Sequence, residues 1–123
     1  MKYVVKNAKK MEHFTAGDTC MVAEIMHPKN ETLPFDCLSL AHAEIAVGGR
    51  TVPHKLLGSS EIYYIISGTG SLFIEGTKTE LVPGTAAAIP RGCEQYVVNE
   101  GNIPLEFLCI VTPKWKKEEE IIL

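Results

Sequence analysis

Turn-forming residues recur along this chain at short, regular intervals, and that rhythm limits the possible folds more than any other feature. Gly17-Asp18, Pro28-Lys29-Asn30, Gly48-Gly49, Gly58, Gly68-Thr69-Gly70, Glu75-Gly76, Pro83-Gly84, Pro90-Arg91-Gly92 and Asn99-Glu100-Gly101-Asn102 punctuate the sequence. Glycine reaches backbone angles closed to other residues, proline pre-sets its own, and Asn and Asp bond back to their own turn. Between these signals lie stretches rich in Val, Ile, Leu, Tyr and Phe, at 19–27, 37–47, 61–67, 71–75, 78–82, 85–89, 94–99 and 105–111. Many short strands at such spacing read as an all-β sandwich or barrel. No stretch sustains a helical i, i+3, i+4, i+7 stripe over three turns. Only the tail 114–123, with the run Lys116-Lys117-Glu118-Glu119-Glu120, is expected to form a short helix, its charges on a solvated face.

The length of 123 residues fits one domain over 1–123 with a genuine core. Twelve basic against fifteen acidic residues give a net charge of −3, without the basic excess of a nucleic-acid binder. Apolar runs fall well short of the ~20 residues of a membrane helix, and no apolar stretch follows the first basic residues as in a signal peptide. Cys20, Cys37, Cys93 and Cys109 form no CxxC pair and are expected to be free thiols. The expectation is a cytoplasmic protein with no nucleic-acid or membrane partner.

Residues two apart on a strand share a face. Leu38, Leu40, His42 and Glu44 therefore alternate with Ser39, Ala41, Ala43 and Ile45. Glu61, Tyr63 and Ile65 share a face, as do Gln95, Val97 and Asn99. Apolar residues mixed with a few convergent polar groups are the usual make-up of a ligand pocket.

Two blocks carry a family likeness. The first, 48–68, places Gly48, His54, Glu61 and Gly68 in the pattern Gly, five residues, His-x-His, three or four residues, Glu, six residues, Gly. The second, 84–99, places Gly84, Pro90, Gly92 and Asn99 in the pattern Gly, five residues, Pro-x-Gly, two residues, His, three residues, Asn. Fifteen residues separate them. In this the chain resembles the small single-domain cupins, which implies a double-stranded β-helix (jelly-roll) barrel.

The resemblance also implies a metal centre, and here the sequence departs from the pattern. His54 and Glu61 are present, but Leu56 replaces the second histidine and Gln95 the late one. Leucine cannot bind a metal, whereas glutamine offers a neutral carbonyl oxygen. His42, on the preceding strand, would make up the deficit if its face points inward. The expected ligand set is therefore His42, His54, Glu61 and Gln95, a mixed N/O set suited to divalent Fe, Mn, Ni or Zn. Tyr63 and Glu44 are the candidates for proton transfer, with Glu24 beside them. The plainer alternative stays open: a histidine on an apolar strand is often a hydrogen-bonded core residue, and Glu61 and Gln95 could satisfy other protein groups.

The resemblance and the ligand chemistry together imply a metal-dependent enzyme on a small organic substrate, dioxygenase- or isomerase-like. The alternative is a non-catalytic module that binds or senses a small molecule. The resemblance further implies a homodimer, to which the apolar outward positions Ile62, Tyr64 and Ile66 would contribute.

Overall fold

The computed structural model describes residues 3–123. Its strands, numbered in chain order, form two antiparallel sheets. One sheet runs β1 (Phe14–Thr15), β2 (Met21–Met26), β3 (Ser39–Ile45), β10 (Leu105–Thr112), β5 (Ser60–Ser67) and β8 (Ala86–Ile89) in spatial order. The other runs β11 (Glu120–Ile122), β4 (His54–Leu56), β9 (Gln95–Val98), β6 (Gly70–Ile74) and β7 (Thr77–Leu81). Neighbours distant in sequence, such as β3 with β10 and β4 with β9, make this the expected jelly-roll barrel rather than a meander.

The turns work as their residues dictate. Glu75 and Gly76 carry φ of 48° and 80°, the two left-handed positions of a tight hairpin joining β6 to β7. At Gly68 φ is +86°, and a Cβ there would lie 2.5 Å from the Pro104 carbonyl oxygen. Only glycine fits this close approach.

Alternation sorts the first sheet cleanly. On β3, Ser39, Ala43 and Ile45 are buried, with Ala41 on the same inward face. They meet Val111, Cys109, Phe107 and Leu105 of β10, which in turn bring Glu61, Tyr63 and Ile65 of β5 to that side. The barrel is filled by Ile65, Leu72, Leu81, Ile89, Val97, Leu105 and Phe107, each at most 2% exposed. Full burial of such side chains contributes about 1.5–3 kcal/mol each relative to exposure.

The structure corrects three expectations. His42 and Glu44 point to the opposite face of β3, away from the barrel interior, because the buried set is the alternate one. Neither can approach the face that carries His54. The tail also does not form the expected helix beyond one 3-10 turn at Lys117–Glu119. It ends instead as β11, whose Glu120 and Ile122 pair with Leu56 and His54 of β4. The open edge of the second sheet supplies the backbone hydrogen-bond partners that draw this segment into a strand.

Candidate functional site

A cavity of about 210 Å³ opens inside the barrel, walled by β2, β3, β5 and β10 on one side and β4 and β11 on the other. Its apolar wall includes Val22, Leu56, Phe107 and Val111; its ionisable groups include Asp18, Glu24, His54, Glu61, Tyr63 and Glu120, and Thr15, Ser39 and Thr51 also line it.

His54 is 3% exposed and projects inward from β4. Its Nδ1–H donates to the Val52 carbonyl oxygen at 2.7 Å. That bond holds the tautomer whose Nε2 lone pair faces the cavity. Asp18 meets it from the turn between β1 and β2, with Oδ2 3.6 Å from His54 Nε2. This aspartate is set by its own turn: it accepts the Cys20 N–H at 3.0 Å, while its carbonyl accepts the Val52 N–H at 2.8 Å. Glu120 arrives from β11, held in register by the β4 pairing and by flanking bonds from Leu57 N–H to the Glu119 carbonyl and Leu123 N–H to the Pro53 carbonyl. One ligating atom from each of Asp18, His54 and Glu120 falls within 4.8 Å of the others. Burial, and next the neighbouring Asp18 charge, raise the Glu120 carboxyl above its ordinary range. Two carboxylates against one imidazole leave a deficit of positive charge. A divalent cation bound by N/O donors corrects it, so these residues fit the metal that the fold implies.

Deeper in the barrel lies a second polar group. Gln95 Nε2–H donates to Glu61 Oε1 at 2.9 Å, and the Tyr63 hydroxyl donates to Gln95 Oε1 at 2.6 Å. Gln95 sits opposite His54 in the β4–β9 pairing, but its amide is committed to these two partners. Burial pushes the Glu61 carboxyl up to about 7, against the lowering effect of the Gln95 bond and His54. Burial also drives the Tyr63 hydroxyl well above its usual range and the Cys20 thiol up to about 12. At neutral pH Glu61 alone of these three is poised to exchange a proton.

The expected ligand set thus divides. His54, Glu61 and Gln95 come together inside the barrel. His42 does not: it shares a hydrogen bond of 2.8 Å with His13, and its Nε2 lies 3.2 Å from Glu106 on the other face. Glu44 lies on that same outer face, so of the proton-transfer candidates only Tyr63 and Glu24 reach the cavity. Sequence reasoning missed Asp18 and Glu120. Gly17-Asp18 carried a turn signal and nothing more, while Glu120 was hidden in a charge run. The β-branched pair Ile121-Ile122 after it was the available sign of a strand.

The wall is closed by the end of the chain. Trp115 lines the cavity; its backbone N–H donates to Ser39 Oγ at 3.0 Å and its backbone carbonyl accepts from His27 Nε2–H at 2.7 Å. His27, 2% exposed, also takes the Lys29 N–H at Nδ1, 3.1 Å away, so both its nitrogens serve structure.

A family model described as Cupin domain matches residues 41–111. The chain belongs to the cupin family. The cupin is 32% identical over 123 residues to an uncharacterized protein, MJ1618, of Methanocaldococcus jannaschii, covering all of this chain and 97% of that one. In structure it is similar to a predicted oxalate decarboxylase from Thermotoga maritima (TM-score 0.77, 21% identity, 89% of this chain and 99% of that one). It is also similar to Streptomyces Pac13, a nucleoside dehydratase (TM-score 0.75, 15% identity, 100% of this chain and 90% of that one). At these identities the two structures show the shared barrel alone. Of the three donors Asp18, His54 and Glu120 in this cupin, Asp18 and Glu120 lie outside the matched span, one on each side.

Proposed function

We propose that this cupin is a divalent-metal-dependent enzyme that acts on a small organic substrate by proton transfer, as in isomerase or lyase chemistry. The observation that carries this reading is the placement of two distinct groups on one cavity: the donors Asp18, His54 and Glu120, and the buried acid Glu61. Asp18, His54 and Glu120 would hold the ion, which supplies Lewis acidity toward a carbonyl or hydroxyl oxygen. Glu61 would take up and return the proton through its carboxyl oxygens, which suits a group titrating near neutrality. Gln95 fixes Glu61 Oε1, and Tyr63 fixes Gln95, so the acid is held in one orientation. The apolar wall around Phe107 and Val111 keeps water from competing for the proton.

Metal content of untagged protein, measured by mass spectrometry after incubation with Fe(II), Mn, Ni or Zn, tests the reading. About one ion per chain is expected in the wild type and in Glu61→Gln, and none in His54→Ala. Uptake of solvent deuterium by a small hydroxycarbonyl compound should then require both the metal and Glu61. Oxygen consumption in place of proton exchange would point to dioxygenase chemistry.

A second reading is a non-catalytic small-molecule binding module. It is favoured by Leu56 at one family ligand position and by the self-satisfied Glu61–Gln95–Tyr63 group at another. Absence of any bound ion would select it. A homodimer is part of our reading as well, supported by Tyr64 and Ile66, each 44% exposed on the outer face of β5. A monomer by light scattering defeats it. The four free cysteines support a reducing, cytoplasmic setting.

A further inference from the structure

The cavity is unbalanced in charge. Asp18, Glu24, Glu61 and Glu120 all line it, and among the described residues no lysine or arginine does. Lys29 comes close, with its ammonium 5.4 Å from the Trp115 ring centre, but it is not part of the lining. A divalent ion on Asp18, His54 and Glu120 would offset the charges of Asp18 and Glu120, leaving Glu24 in the lining beside the proton-exchanging Glu61. Any anion entering would have to shed its hydration and face the remaining carboxylates across a low-dielectric wall, where like charges repel strongly.

From this we infer that the cupin takes an uncharged, hydroxyl-rich, single-ring compound such as a free sugar, and rejects acidic sugars and other small carboxylates. The inference rests on the reading of this cavity as the substrate site. Three features fit one molecule of this class. The carboxylates offer acceptors and almost no donors, so they suit a ligand whose hydroxyl groups donate. Trp115 and Phe107 present apolar surface to the less polar face of a ring. The volume of about 210 Å³ corresponds to about seven waters, room for one ring and not for a nucleotide. Glu24, which lines the cavity but stands outside the three-donor cluster, is the specificity-determining charge.

Trp115 is the single tryptophan of the chain, so its fluorescence reports on this cavity alone. Matched pairs, glucose against glucuronate and galactose against galacturonate, are titrated into zinc-loaded and metal-free protein. The neutral sugars are expected to change the emission, with the acids at least about tenfold weaker in both forms. Glu24→Gln should narrow that gap by several-fold. Equal or tighter binding of the acids overturns the inference, and so does binding of neither sugar class. Failure of zinc to bind defeats the metal reading instead, and the comparison in metal-free protein still decides the charge preference.

Discussion

Gln95 stands opposite His54 on paired strands, yet its amide turns to Glu61 at 2.9 Å instead of joining the imidazole. A residue at the family's late metal-ligand position has become part of a hydrogen-bonded acid cluster. The donors that accompany His54 come from Asp18 and Glu120, on the two flanks of the barrel motif. In the proposed function, metal binding would fall to Asp18, His54 and Glu120 and proton transfer to Glu61, all on one cavity.

Glu61 should make the stability of the metal-free protein fall with rising pH. Its carboxyl titrates near 7 when folded, against an ordinary 4.5. Below the ordinary value both states are protonated and the group is neutral in effect. As pH rises from there through 7, the unfolded chain ionises first and is favoured, by up to about 3 kcal/mol. Urea unfolding between pH 5 and 8 checks this, and Glu61→Gln should flatten that part of the profile.

Tyr63→Phe removes the hydroxyl that donates to Gln95 Oε1 and leaves a buried acceptor without its partner. A loss of about 1–3 kcal/mol in unfolding free energy is expected, with metal content unchanged. Loss of the ion in this variant would instead place Tyr63 or Gln95 at the metal.

His54→Ala and His42→Ala should separate completely in metal content. The first removes the inward donor facing Asp18 and should abolish zinc binding. The second breaks outer-face contacts to His13 and Glu106 and should keep the ion, at a stability cost of about 1 kcal/mol.

Gly68→Ala tests the turn between β5 and β6. The left-handed backbone and the 2.5 Å approach to the Pro104 oxygen both oppose a Cβ. Destabilisation of at least about 1–3 kcal/mol is expected by thermal or urea unfolding. A neutral outcome would mean that the loop before β10 yields without cost.

Strand length, turn chemistry and two-residue alternation are local properties, and they take the fold a long way before any tertiary contact is known. The stretches at 61–67 and 105–111 emerge as β5 and β10 with boundaries moved by a residue, and Glu61, Tyr63 and Ile65 do share the inward face. Alternation also separates His42 from Ala41 and Ala43, but it cannot say which set turns inward. Burial settles that: the small residues Ala41 and Ala43 sit against Cys109 and Phe107, and the imidazole goes to the other side.

Asp18 and Glu120 mark the limit of such reading. They are 102 positions apart, and neither lies within a motif. Glu120 becomes a cavity residue only because the edge of β4 offers backbone partners to a segment whose own charge run suggests a helix. A β barrel with His54 and Glu61 turned inward was legible in the order of residues, since it rests on short-range periodicity, turn geometry and motif spacing. Which charges share the cavity was settled only by the folded chain, because that depends on sheet edges pairing across its whole length.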